Sequence, residues 1–348
     1  MTSVVKELGC YVLPGKASSP IAGIQQAIEA ERIGLGSVWA SERWETKESG
    51  ALLGAIAQAT THIRLVTGTT HFNTRHPMVL AGMAATLQGL SGGRFEMGVA
   101  RSVVDRWKKI GAPPQTNQSM ADMAGILKQL WAGETVSYSG PAGNFPEMLF
   151  VDLPDKSTPI HLAAVGPKTL ALAGAHFDGV ILHPFLTPHG VARSADIVRQ
   201  AAEQAGRDPA SVRIIAAVVV APDLTPEETR AAVYARAATY FVHKEMAMPI
   251  LRANEWDPAQ LEPILATGLE ELEMQQVSVE VLRAKMAEAS ALIPRAWLDE
   301  GAAMGAAATV AARLREYRAA GADEILLHGA TADKLEGLVS AYRTLAAG

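Results

Sequence analysis

Ile63-Arg64-Leu65-Val66-Thr67-Gly68-Thr69-Thr70-His71-Phe72-Asn73-Thr74-Arg75-His76-Pro77 combines, in fifteen residues, a short apolar run, a polar stretch and a proline. Ile63, Leu65 and Val66 suit a strand buried on both faces of a parallel sheet. The polar residues from Thr67 to His76 read as the strand end and its loop. Pro77 suits the first position of a helix, where the missing N–H costs nothing. The stretch is therefore most of one βα unit, and the same rhythm repeats along the chain. Buried runs are read at Leu8–Leu13, Ser37–Ser41, Ile63–Gly68, Phe95–Ala100, Ile160–Ala164, Gly179–His183, Val212–Val220 and Glu324–His328, separated by longer Ala-rich amphipathic segments. Eight parallel strands alternating with helices predict an α/β fold of the (β/α)8 TIM-barrel class, a unit of roughly 250 residues that often carries insertions.

Helix starts support this reading. Ser19-Pro20, Gly166-Pro167, Thr187-Pro188 and Thr225-Pro226-Glu227-Glu228 each place a capping residue before proline, and Glu228 completes a capping box. Two segments break the rhythm. Residues 134–159, rich in Gly, Pro and aromatics, read as a loop or β-ribbon insertion after strand four. Residues 240–304, with Met246-Ala247-Met248-Pro249, Trp256 and Ile293-Pro294, read as a helical insertion between strands seven and eight. Each suits a pocket wall and a packing element equally. The whole of 1–348 is thus expected to be one barrel domain. The rival doubly wound fold wants G-x-G-x-x-G after the first strand, and Gly9-Cys10-Tyr11-Val12-Leu13-Pro14-Gly15 does not supply it.

The bulk chemistry narrows the partners. Hydrophobic residues make up 49% of the chain, charged residues 19%, and the formal net charge is −5. The isoelectric point is near 6.0 and the mean hydropathy +0.11. Nucleic acids and anionic membranes demand clustered Lys and Arg, so the expected partner is a small molecule. Cys10 is the only cysteine. No intramolecular disulfide is possible, and a lone thiol in an apolar strand reads as a buried space-filler in a reducing compartment. With no signal-like N-terminus and no run of ~18 apolar residues, a cytoplasmic location is expected.

Several barrel chemistries lack their parts. No His-x-His ends the first strand and no H-E-x-x-H occurs; His71, His76, His183, His189 and His328 are scattered singly, so no metal site is expected. The strands hold no lysine for Schiff-base chemistry, leaving Lys16 and Lys168 just outside them. G-x-S-x-G and the phosphate-binding G-x-x-x-x-G-K-[ST] are absent as well. A barrel that binds an organic cofactor remains.

The Ile63–Pro77 stretch, together with Leu90-Ser91-Gly92-Gly93-Arg94-Phe95-Glu96-Met97-Gly98-Val99, resembles the bacterial-luciferase-like superfamily. Leu162-Ala163-Ala164-Val165-Gly166-Pro167-Lys168, followed by Ala173-Gly174-Ala175-His176-Phe177-Asp178-Gly179-Val180, is similar to its branch dependent on the deazaflavin coenzyme F420. The resemblance implies an F420-dependent oxidoreductase that moves a hydride to or from an organic substrate. FMN is the alternative cofactor, as in a luciferase-like monooxygenase, and a catalytically silent flavin-binding barrel is a further alternative. It also implies a homodimer formed through helices beside strands one to three, where Ala51–Ala57 and Met78–Ala85 are apolar enough to pack between subunits or on their own barrel.

Particular residues follow from the resemblance. It implies a non-prolyl cis peptide at Gly68-Thr69 behind the cofactor ring, where the residues alone read as an ordinary strand end with local Thr hydrogen bonds. Ala164, Val165, Gly166 and Pro167 open a helix whose N–H groups and dipole suit a phosphate, with Lys168 adding charge. Ala100, Arg101 and Ser102 offer a small residue, a guanidinium and a hydroxyl at the end of strand four, with Arg106, Lys108 and Lys109 on the next helix, for a cofactor with a phosphodiester and a glutamate tail. Ser41 and His183 complete the expected cofactor contacts. At the end of strand two, many F420-dependent members carry Ser-Asp-His with the histidine beside the ring. Here the residues are Ser41-Glu42-Arg43-Trp44. Arg43 does not donate a proton at neutral pH. The expected catalytic set is therefore Arg43 stabilising negative charge, Trp44 walling the pocket, and Glu42, or His183 or His328, handling the proton.

Overall fold

The computed structural model describes residues 3–101, 104–273 and 277–347. The chain folds as a (β/α)8 barrel, and a strand forms at each of the eight anticipated places. Two compact units make it up: Met1–Ile181 with Ile197–Ile214, and Leu182–Asp196 with Ile215–Gly348.

In the first unit the strands are β1 (Val5–Tyr11), β2 (Leu35–Ala40), β3 (Arg64–Thr67), β4 (Phe95–Val99), β5 (Val136–Gly140), β6 (Gly143–Met148), β7 (Ile160–Ala164) and β8 (Gly179–Leu182). All but β5 and β6 lie side by side in the order β1-β2-β3-β4-β7-β8. The helices are α1 (Ile21–Arg32), α2 (Ser49–Ala59), α3 (Pro77–Ser91), α4 (Val104–Ile110), α5 (Asn117–Trp131) and α6 (Pro167–His176). Pro77 is the first residue of α3 and Pro167 of α6. Strand β1 starts three residues before the expected run, because Lys6 and Glu7 interrupt the apolar signal. The expected excursion at 134–159 contains the antiparallel ribbon β5–β6.

Parallel register follows from close packing. Ala40 lies opposite Thr67, Val66 opposite Glu96, and Val99 opposite Leu162, so the C-terminal ends of β2, β3, β4 and β7 stand in a row. Gly98 is a glycine for a steric reason: a Cβ there would sit 2.1 Å from the Thr67 carbonyl oxygen. The turn Ser91-Gly92-Gly93-Arg94 closes α3 with Gly92 in the left-handed conformation, φ 65°. Arg94 then donates to the carbonyls of Ala57, Thr60, Ile63 and Ser91, pinning the end of α2 to the start of β3.

The first half of the strands buries a charged cluster. Glu96 of β4 accepts hydrogen bonds from His161 Nε2 at 2.9 Å, Arg213 Nη1 at 2.7 Å and Arg64 Nη1 at 3.2 Å. Burial pushes its carboxyl up, but His161, Arg64 and Arg213 outweigh that and hold it far below the ordinary carboxylate range. In a barrel this N-terminal end carries stability, and the chemistry belongs at the other.

The second unit holds β9 (Arg213–Pro222), β10 (Ala302–Gly305) and β11 (Glu324–His328), all parallel, in the order β10-β9-β11. Strand β10 was not anticipated: Ala302-Ala303-Met304-Gly305 lacks β-branched residues and sits in Ala-rich sequence that reads as helix. The expected helical insertion includes Lys244–Asn254, Val279–Leu292 and Arg295–Gly301. Its Trp256 and Trp297 stack at 5.2 Å and 5°, with Phe241 5.1 Å from Trp297, so its aromatics build a core of their own. The capping box at Thr225 forms with Glu228. Among the described residues no helix is long and apolar enough to cross a membrane.

Candidate active site

The row of strand ends in the first unit gathers most of the expected residues, and the end of β3 organises them. Thr67 Oγ1 donates to the Gly98 carbonyl and accepts from the Gly98 N–H, both at 2.8 Å, locking β3 to β4. Thr70 returns to the same strand: its N–H reaches Gly98 O at 2.9 Å and its carbonyl accepts from Ala100 N at 3.0 Å. Gly68 and Thr69 are thus left out of the β4 ladder as a bulge, and the peptide between them is cis. They lean on β2 instead, through Gly68 N to Ala40 O at 2.8 Å and Glu42 N to Thr69 O at 3.2 Å. A side chain on Gly68 would press against Tyr11 and Trp39 at 3.0–3.2 Å, so only glycine fits without displacement.

Beyond β2, Ser41 is half-buried and Glu42 is buried. The Glu42 carboxylate accepts from Arg75 through both guanidinium arms, with Nη1 to Oε2 at 2.9 Å and the second contact from Nη2 to Oε1. Thr70 Oγ1 donates to it at 2.5 Å. Arg75 also donates to Glu48, whose carboxylate caps α2 by accepting from the N–H groups of Gly50 and Ala51. Burial alone would raise the Glu42 pKa; the hydrogen bonds of Arg75 and Thr70, with the charges of Arg75 and His71, turn the shift downward. Glu42 is therefore a fixed anion and acceptor. The expectation that it handles a proton does not fit this environment, because its protonated form is the disfavoured one.

Arg43 is exposed on the small loop closed by Arg43 N to Lys47 O at 3.0 Å and Lys47 N to Arg43 O at 2.8 Å. Buried Lys47 anchors that loop to the end of β1 through the carbonyls of Val12, Leu13 and Pro14 at 3.2–3.4 Å. Burial, then the charges of Arg43 and Lys16, lower its pKa. The strand-two end is thus locally basic around one buried anion.

Trp44 and His71, the latter passed over as one of the scattered histidines, meet edge to face at 5.1 Å and 63°. The Trp44 Nε1–H is buried without a protein acceptor. His71 is 8% exposed, and its Nδ1 lies 2.8 Å from the Ala100 carbonyl oxygen. Spacing gave no hint of this pairing: it arises because the chain crosses from β3 to the end of β4.

Ala100 therefore contributes backbone only. Arg101 is half-buried, with Nη1 donating to Asn117 Oδ1 at 2.9 Å. Ser102 lies outside the described residues, as does the side chain of Arg106; Lys108 and Lys109 are exposed on α4. At the end of β7, Ala164 and Val165 lead into Gly166, the N-cap of α6, with Pro167 at its first position. No side chain caps that terminus, and a Cβ on Gly166 would meet nothing within 4 Å. Lys168 stands exposed beside it. An uncapped ten-residue helix start with an adjacent cation is a ready anion seat.

His183 and His328 belong to the second unit. His183 stacks edge to face on Tyr240 at 4.6 Å and donates from Nδ1 to the Pro184 carbonyl at 2.9 Å. Desolvation holds its pKa down to about 4, so it is neutral near pH 7 and a poor proton donor. The His328 Nδ1 accepts from the Gly329 N–H at 2.9 Å. Cys10 is fully buried with its thiol pushed up to about 12, as a space-filler. No cluster of His, Cys, Asp and Glu fit to hold a metal occurs among the described residues.

A cleft of about 500 Å³ opens on the first unit, between the segment after β3, the start of α5 and the turn of the β5–β6 ribbon. Phe72, Met120, Met123 and Phe145 give it an apolar lining, with Arg75 and His76 at its polar side.

The strand ends of the first unit thus carry a bulged cis peptide, a buried indole and an uncapped helix start beside a lysine. Residues 12–324 match the luciferase-like monooxygenase family, and the chain belongs to it. It is 28% identical over 237 residues to a 5,10-methylenetetrahydromethanopterin reductase of Methanolobus tindarius, covering 66% of this chain and 70% of that protein. It is 27% identical over 259 residues to an F420-dependent hydroxymycolic acid dehydrogenase of Mycobacterium tuberculosis, covering 70% of each. The structure of the coenzyme F420-dependent tetrahydromethanopterin reductase of Methanopyrus kandleri shares the fold, with a TM-score of 0.81 at 19% identity over 99% of both chains.

Proposed function

We propose that this protein is an F420-dependent oxidoreductase acting on a small organic substrate. The observation that carries the reading is the uncapped start of α6 with Lys168, set at the end of β7 in the same row as the Gly68-Thr69 bulge. Two strand spacings separate β3, which leads into the bulge, from β7, roughly 10 Å, a span suited to a tricyclic ring with its phosphodiester at one side. The family relationship and the names of the relatives support the same cofactor.

The residues fit the group. Gly68 and Thr69 would back the ring, the Trp44 Nε1–H offers an orphaned donor to a ring acceptor, and the α6 amides with Lys168 would hold the phosphodiester. Arg43 and Arg101 supply the positive charge a glutamate tail requires. When bound, a 5-deazaflavin supplies two-electron hydride chemistry and lacks the nitrogen through which flavins activate oxygen. Glu42 and Arg75 hold the bulge and the loop of Trp44 in place, and the 500 Å³ cleft beside Arg75 is the place for an apolar substrate. As a homodimer the chain would use its outer helices, where Ile21, Ile28, Val79 and Leu90 stand exposed.

Titrating purified protein with F420 and, separately, with FMN, and following cofactor fluorescence, tests the proposal. Saturable F420 binding with weak FMN binding is expected. Tight FMN binding without F420 binding would overturn it in favour of an FMN-dependent monooxygenase.

A further inference from the structure

We propose that the cleft on the first unit takes an uncharged, apolar molecule that carries an oxygen acceptor, received by the Nε2–H of His76. The inference rests on the reading of the strand ends as a hydride-transfer centre and names the class of substrate that centre would act on.

Three observations carry it. The first is that the polar side chains of the cleft are already engaged within the protein. Asn73 Nδ2 donates to the Pro113 carbonyl at 2.7 Å, Thr74 Oγ1 to the His71 carbonyl at 3.0 Å, and Ser119 Oγ to the Thr116 carbonyl at 3.0 Å. The Gln115 side-chain oxygen accepts from the Asn73 N–H at 2.7 Å. Pro77, Pro113, Pro114 and Pro141 supply much of the remaining wall, and proline has no N–H to offer. The second observation concerns charge. Among the described residues lining the cleft, Arg75 alone is permanently charged, and it is bonded to Glu42 and Glu48, neither of which is a lining residue. An anion would have to draw Arg75 away from two carboxylates, and a cation would face the guanidinium itself; either loses its hydration without gaining a partner. The third is His76. As the N-cap of α3 it accepts the Met78 N–H on Nδ1 at 3.2 Å, and since an amide N–H only donates, the hydrogen of the neutral ring sits on Nε2. Phe145 meets the imidazole edge to face at 5.2 Å and 85°, and Tyr138 stacks on Phe145 at 6.2 Å. A donor of fixed orientation therefore stands at the exposed rim of an apolar cleft.

Size and shape sharpen the class. At about 30 Å³ per molecule of liquid water, the 500 Å³ cleft holds the volume of roughly 17 waters, enough for a bicyclic or tricyclic ketone or alcohol. The proline segments are stiff, whereas Met120 and Met123 are unbranched and adapt to the outline of a ring. Sugar phosphates, carboxylates and polyhydroxylated molecules fall outside the class, because they would set donors, acceptors and charges against proline and methionine.

The test uses full-length protein, with and without F420, and 2-acetylnaphthalene as the probe beside two charged molecules of similar shape, 2-naphthoate and 2-naphthylmethylammonium. Affinity is measured by calorimetry. Location is read from the NMR methyl signals of Met120 and Met123, identified through Met120→Leu and Met123→Leu, and every variant is checked for fold by circular dichroism. The ketone is expected to bind saturably, to shift both methyl signals and to bind about tenfold or more tighter than either charged probe. Ala142→Trp places a large ring at the turn of the ribbon, outside the core, and should abolish ketone binding while F420 affinity stays near wild type. His76→Asn keeps a capping side chain for α3 but withdraws the imidazole, so ketone affinity should fall about three- to tenfold. The hydrocarbon 2-isopropylnaphthalene, which has the shape without the oxygen, should bind wild type and His76→Asn alike. Equal affinity for the ketone and 2-naphthoate overturns the inference, as does ketone binding that survives Ala142→Trp or leaves both methyl signals in place, or no ketone binding at all. Failure of F420 to bind while the ketone still fills the cleft overturns the cofactor reading instead and leaves the ligand class of the cleft standing.

Discussion

Replacing Arg75 by Met keeps the apolar stem and removes the guanidinium that bridges Glu42 and Glu48. In the wild type the Glu42 carboxylate, its side chain 4% exposed, is paired through both arms of a guanidinium that is itself 15% exposed. Removing one partner of so buried a pair leaves an uncompensated charge and costs about 3–5 kcal/mol. Thr70 still donates to the carboxylate, and the orphaned carboxyl relieves itself by taking up a proton, so the expected cost at pH 7 is near the lower end, about 3 kcal/mol. If the 348 residues unfold together at about 2.1 cal/mol/K per residue, that is a fall of about 4 °C in Tm. The loss has a pH signature. In Arg75→Met the Glu42 carboxyl titrates upward, so the deficit is largest at pH 7 and shrinks as pH falls toward 5. The double variant Glu42→Gln with Arg75→Met removes both charges and is expected to recover stability, with a coupling of about 2 kcal/mol in the cycle. Urea unfolding at pH 7 and pH 5, with calorimetry on all four proteins, measures it. A single-variant loss under about 1 kcal/mol, or strictly additive effects, would refute the view that this pair fixes the loop carrying Arg43 and Trp44.

Glu96→Gln strips the anion from among His161, Arg64 and Arg213; since the Glu96 pKa is depressed in the fold, its stabilisation is present above the unfolded carboxylate range near 4.5 and is lost as pH falls below it. Chemical unfolding should show a deficit of about 3–5 kcal/mol at pH 7, narrowing below pH 4.5, whereas a pH-independent deficit counts against the charge argument. Lys168→Ala removes the cation beside the α6 start without touching the bulge, so F420 affinity is expected to fall about three- to tenfold, with the difference shrinking in high salt; equal affinity in both proteins at low salt would remove the anion seat from the site. Cys10, buried with its thiol pushed up to about 12, should resist a thiol reagent in native protein and react once per chain in denaturant; rapid native labelling would contradict the buried strand.

Much of the barrel was legible because buried parallel strands are written in apolar runs whose bounds proline and glycine mark. Pro77, Pro167 and the Thr225 capping box act within a few residues, so they could be read directly. What was hidden depended on partners distant in sequence. Strand β10 exists because Ala302–Gly305 finds β9, and nothing in Ala-Ala-Met-Gly announces a strand. The buried charge of Glu96 within the run Phe95–Ala100 is stabilised only by the approach of His161 and Arg213, 65 and 117 residues away.

The same distinction explains the strand-end chemistry. A motif read along one strand gave Arg43 the negative charge to stabilise and left the proton to Glu42, or to His183 or His328. The fold joins three strand ends, and its hydrogen bonds redistribute the work: Arg75 reaches back across the bulge to fix Glu42 as an anion, and the Ala100 carbonyl fixes the His71 tautomer. Arginine at position 43 then becomes intelligible. Residue 43 is exposed on its own small loop, and its guanidinium keeps its charge at every pH where an imidazole would lose one.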